Sequence, residues 1–124
     1  MKASTGISPA EFARRRKQVM RMSTDDAILI LAASPERVRS HDTHYPYRQD
    51  SDFWYLTGFP EPEAVLVLVP GRKHGEALLF CRERDPEREG WDGPRAGQEG
   101  AVEQFGMDDA YPIEDLDEIL PGLL

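Results

Sequence analysis

The sequence predicts one α/β domain built on a mixed sheet, and three features carry that reading. The chain has 124 residues, enough to bury a core without a disulfide or a structural metal. Short runs at 27–33, 64–69 and 76–81 are nearly continuous in apolar residues and have strand length. Segments with apolar residues at helical spacing lie before and after them, so helices and strands alternate along the chain.

The elements follow in order. Ser8-Pro9-Ala10-Glu11 places Ser at a helix N-cap, Pro at the first helical position and Glu at the reciprocal capping position, and helix formers continue to about Met22. Phe12, Val19 and Met20 share one face of that helix. Residues 27–33, ended by Ser34-Pro35, read as a strand covered on both sides. The runs at 64–69 and 76–81, separated by Pro70, Gly71 and Gly75, read as an antiparallel hairpin.

Residues 82–100 are charged and glycine-rich, with Trp91 as the exception, and read as an exposed loop. A short helix at 101–105 closed by Gly106, a brief strand at 110–112 and a helix over 113–120 complete the domain. Ile28, Ile30, Val65, Val67, Leu79, Phe53 and Trp54 are expected to be inaccessible, beneath the helices starting near Ser8 and Glu114.

Charge excludes several functions. Lys and Arg number 15 against 23 Asp and Glu, a formal charge of −8 that repels phosphate backbones, so no nucleic-acid partner is expected. The basic run at 14–17 reads as a solvated helix face. No apolar run is long enough to span a bilayer, the N-terminus lacks a secretory pattern, and Cys81 is alone; the chain reads as soluble and cytoplasmic, with no membrane partner.

The chemistry-bearing residues concentrate at 41–59, HDTHYPYRQDSDFWYLTGF. His41 and His44 are three apart, with Asp42, Asp50 and Asp52 nearby, but there is no HExxH, Walker loop, GxSxG or dinucleotide fingerprint, and no complete catalytic constellation. The residue pattern leaves open a small metal-dependent hydrolase using the two histidines, and a stand-alone protein–protein interaction or assembly module. Tyr45, Pro46, Tyr47 and Arg48, followed by Phe53, Trp54 and Tyr55, suit a packed loop or an interface, with Phe53, Trp54 and Leu56 as core.

The stretch YPYRQDSDFWYLTGFPEPEAVLVLVP resembles the signature of the N-terminal domain of the aminopeptidase P (Xaa-Pro aminopeptidase) family. The EFARRRKQV helix, the ILILAA strand, RSHDTHYPYR and LLFCRERDPEREGWDGPRAGQEGA extend the resemblance over essentially the whole chain. It implies a creatinase-like, ribonuclease-H-like α/β domain that is itself non-catalytic and precedes a pita-bread catalytic domain. In such enzymes two metal ions, usually manganese, drive hydrolysis before a penultimate proline. None of the metal ligands is assignable here, so the chain is expected to be a domain of such an enzyme, inactive alone, with its own catalytic domain, a homo-oligomer and a peptide as partners. The resemblance further implies that Asp42 and Trp91 border a substrate cleft, and that His41, Tyr45, Tyr47 and Arg48 belong to an inter-subunit edge.

Overall fold

The computed structural model describes residues 7–23, 27–34 and 49–123. Helix α1 spans Pro9–Met22, and Ser8 caps it by accepting from the Glu11 N–H at 3.2 Å. The Glu11 carboxylate, expected to complete a reciprocal cap, instead accepts from Arg14 at 2.7 Å and from Arg15 at 3.0 Å. The buried stripe of α1 is Phe12, Arg16 and Met20, each four residues from the next.

The basic run at 14–17 is therefore not a uniformly solvated face. Arg16 is only 2% exposed; its guanidinium donates to the carbonyl of Leu56 at 2.8 Å and to that of Gly106 at 3.2 Å. Burial draws its pKa below the ordinary arginine value, and the charge of Asp108 opposes that shift. Arg15 lies over the Tyr55 ring, 4.3 Å from its centroid, and donates to the Tyr55 carbonyl. Both arginines tie α1 to the segment that follows β1.

Strand β1, Leu29–Ala32, is followed by α2, Ser51–Thr57, a helix within the aromatic stretch. Asp50 caps α2 by accepting from the Phe53 N–H, and Gly58 ends it in the left-handed conformation at φ 66°. A Cβ at Gly58 would meet the Phe12 ring at 2.5 Å, so both backbone and packing require glycine there. Gln49 joins three segments: its side-chain oxygen accepts from the N–H groups of Ser34 and Asp50, and its amide nitrogen donates to the carbonyls of Phe59 and Glu61.

Strands β2, Val65–Leu68, and β3, Ala77–Cys81, form the expected antiparallel hairpin, with Val65 opposite Phe80 and Leu68 opposite Ala77. The sheet has four strands in the order β1-β2-β3-β4, where β4 is Asp109–Pro112. β1 pairs antiparallel with β2, and β4 pairs parallel with β3. Asp108 locks that last junction, its carboxylate accepting from the N–H groups of Glu76 and Ala77.

Side chains alternate between the two faces of the sheet. Leu66, Leu68, Leu79 and Cys81 join Met20, Phe53, Leu56, Phe59, Ala101 and Phe105 in the larger core, so α1, α2 and α4, Gly97–Glu103, cover that face. Val67, Leu78 and Phe80 pack with Ile113, Leu116, Ile119 and Leu120, placing the Ile113–Asp115 turn and α5, Leu116–Leu123, on the opposite face. The expected mixed sheet flanked by helices is what the chain forms.

Burial corrects part of the expected core. Phe53, Val67 and Leu79 are fully buried, whereas Ile28, Val65 and Trp54 are half-buried and Ile30 is 49% exposed. β1 lies at the sheet's edge, with β2 on only one side of it among the described residues, so it is not covered throughout. The supposed loop at 82–100 is also corrected: it contains α3, Pro86–Asp92, and the start of α4. Asp85 accepts from the Arg88 N–H and Pro86 occupies the first turn, a start signal present in the sequence but lacking an apolar stripe behind it.

Candidate functional site

The candidate site is the connection from β3 through α3 to α4. Leaving β3, the chain turns at Arg82, whose guanidinium approaches Glu61 at 3.5 Å. Glu61 is 8% exposed, and its other oxygen accepts from the Ala96 N–H at 2.7 Å, which fixes the entry to α4 against the loop before β2. The Gln98 side chain donates to the Cys81 carbonyl at 3.0 Å. Burial pushes the Cys81 thiol up to about 12, with the negative charge of Glu61 adding to the shift, so this cysteine is a packed hydrophobe and not a nucleophile.

Glu89 closes the loop around α3. Its carboxylate accepts from Arg84 Nε at 2.9 and 3.1 Å, from the Asp85 N–H at 2.8 Å and from the Arg95 N–H at 3.0 Å. The Arg84 hydrogen bond, followed by the backbone donation from Arg95, holds its pKa down to about 2, against the ordinary 4.5. A cleft of about 160 Å³ lies beside this loop, lined by Pro60, Glu61, Arg84, Pro94 and Arg95 among others.

Trp91 stands out from this framework. It is 88% exposed on α3, an indole held away from its own core. It lies in the segment expected to be exposed, and its side chain is exposed, while Glu89 in the same segment is an anchor. Asp42, His41, Tyr45, Tyr47 and Arg48, and His44 with them, lie outside the described residues. Among the described residues, no three of His, Cys, Asp and Glu come together to hold a metal ion.

The family profile described as aminopeptidase P, N-terminal domain, matches residues 12–124. The chain belongs to that family. It is similar to the Xaa-Pro aminopeptidase of Escherichia coli, with 45% identity over 119 residues, covering 95% of this chain and 27% of the relative. Among solved structures it matches Pseudomonas aeruginosa aminopeptidase PepP at 63% identity and a TM-score of 0.89, over 94% of this chain and 26% of that one. It also matches a zinc-substituted E. coli aminopeptidase P in complex with product, at 44% identity and a TM-score of 0.86, over 95% and 27% of the two chains. This aminopeptidase P N-terminal domain thus spans about a quarter of the length of the proteins it matches.

The hydrogen bonds of Glu89 make an acid response of the domain calculable in sign. A carboxylate whose folded pKa is depressed contributes stability that is fully present above its unfolded value and lost as pH falls through the folded one. The Glu89 clamp is therefore expected to be intact above about pH 4.5 and to open progressively toward pH 2. NMR titration of the Arg95 amide, which donates to that carboxylate, should give a midpoint near 2; a midpoint at 4.5 would mean that the clamp does not form.

Proposed function

We propose that this chain is the non-catalytic N-terminal domain of a Xaa-Pro aminopeptidase, a metallopeptidase that removes the residue preceding a penultimate proline. The observation that carries the reading is the family match over 12–124, and an indole 88% exposed on α3 supports it. In this reading the metals, manganese in the usual case, are held by the catalytic domain of the longer protein, which the domain meets as its intramolecular partner. This chain's contribution is to shape the mouth of the peptide site.

The residue assigned this role is Trp91, whose indole is exposed. An indole offers a broad apolar face against which a pyrrolidine ring packs, and its rigidity limits the entropy lost on contact. Asp42 supplies a negative charge that would draw the protonated amino terminus of a peptide toward the same mouth. His41, Tyr45, Tyr47 and Arg48 form the edge through which a homo-oligomer assembles, and the enzyme works in the cytoplasm.

Replacing Trp91 with Ala in the full-length protein is expected to lower kcat/KM for an Xaa-Pro peptide by about tenfold, the equivalent of one lost ring contact. An exposed side chain contributes little to the fold, so the variant's stability should stay within about 0.5 kcal/mol of the parent's. Steady-state peptide hydrolysis and a thermal melt on the same preparation check both halves. Unchanged turnover would remove Trp91 from the cleft.

A further inference from the structure

We propose that Glu89 is a positioning residue for Trp91, acting as the internal staple that fixes α3 so that the indole is presented in one orientation. The inference rests on the reading of Trp91 as a wall of the peptide site and deepens it, since it names what holds that wall in place.

Helix α3 has seven residues, too few for a helix to be stable by propensity alone. It also has no apolar anchor. Its described side chains are exposed apart from Glu89, whose side chain is 8% exposed. What holds α3 is therefore polar, and most of it converges on one carboxylate. Asp85 and Arg84 precede the helix and Arg95 follows it, and all three donate to Glu89. The carboxylate thus ties both ends of the excursion at 84–95 to its middle.

Geometry separates the two roles. Residues 89 and 91 are about 200° apart around a helix, so a carboxylate directed inward at one position leaves the side chain at the other directed outward. The staple has a support of its own. Gly97, at φ 71°, lies against the stem of Arg84, where a Cβ would meet Arg84 Cγ at 2.6 Å. The glycine that starts α4 thereby makes room for the arginine that grips Glu89. Arg95 is tied in turn, its guanidinium donating to the Glu83 carbonyl at 3.1 Å. Arg84 and Arg95 are thus each held by the chain around them, and a glutamine in place of Glu89 has one acceptor oxygen where the site uses two.

The test is a double-mutant cycle in the full-length protein, using Glu89→Gln, Trp91→Ala and both together. Glu89→Gln is expected to raise KM for an Xaa-Pro peptide by about tenfold with a much smaller change in kcat, and to have no further effect when Trp91 is already Ala. A role confined to fold stability would instead add its full effect in either background. Incorporated 5-fluorotryptophan gives the independent readout: the Trp91 resonance, assigned by its loss in Trp91→Phe, should shift or broaden in Glu89→Gln.

An unchanged Trp91 resonance, or equal KM effects in the two backgrounds, overturns the proposal. If Trp91→Ala alone leaves KM unaltered, it is the cleft reading that fails. The resonance then decides by itself whether Glu89 holds the indole, so the two failures are distinguishable.

Discussion

Replacing Arg16 with Ala should destabilise the domain by about 3–5 kcal/mol, the combined cost of two buried carbonyls left without their donor and of the cavity left by a long side chain. The guanidinium is 2% exposed and binds the carbonyls of Leu56, at the end of α2, and Gly106, before β4. Alanine leaves both carbonyls without that donor and opens a void between α1 and the segments it clasps, and each loss adds to the cost. Arg16→Met separates the contributions, since it restores most of the volume and none of the hydrogen bonds. Urea unfolding should place Met between Ala and the parent. A midpoint for Arg16→Ala equal to the parent's would show that the clasp contributes nothing.

Phe59→Ala is expected to cost a similar amount, about 3–5 kcal/mol, by a different route. Phe59 is fully buried and meets Phe105 edge to face at 5.0 Å and Phe53 at 6.5 Å. Its backbone is held independently, with its N–H donating to Thr57 Oγ1 and its carbonyl accepting from Gln49, so the substitution removes the ring and leaves the chain path in place. The resulting cavity lies where α2, α4 and the sheet meet. Because a domain of this size is stable by only about 5–15 kcal/mol, either substitution removes a large part of the total. Denaturant melts with an unchanged slope and a lowered midpoint would identify a loss of native packing; a shift below about 1 kcal/mol would contradict the core assignment.

Several elements were legible because their signals are local. The Ser8-Pro9 start of α1 is a cap, and the β2–β3 hairpin follows from two apolar runs around a turn in which Gly71 and Gly75 take positive φ. The family signature likewise lies in contiguous residues, which is why membership could be expected before the sheet was known. α3 escaped notice for the opposite reason: without an apolar stripe it has no periodicity to read, and its stability comes from caps and from the hydrogen bonds of Glu89. α2 was hidden in an aromatic stretch whose composition suits a loop, an interface or a core equally well.

Arg16 was legible in part. It falls midway between Phe12 and Met20 on the buried stripe, so helical periodicity alone placed it on the inner face, against the expectation that a basic run is solvated. Its partners were not legible, because they lie 40 and 90 residues away along the chain. The same limit applies to Gln49, whose acceptors and donors belong to three separate segments.

By itself, then, the sequence determined the kind of domain, the hairpin at its centre, the capped first helix and the family to which the chain belongs. Tertiary structure decided which apolar strand became an edge. β1 and β3 are similar apolar runs, yet β4 pairs on the far side of β3, which leaves β3 buried throughout and Ile30 of β1 49% exposed. It also decided that an arginine is core, that a glutamate is an anchor and that a tryptophan is outside. Local pattern records how a segment can be amphipathic, whereas burial and hydrogen-bond partnership are set by residues remote in the chain, which only the assembled sheet and its covering helices bring into contact.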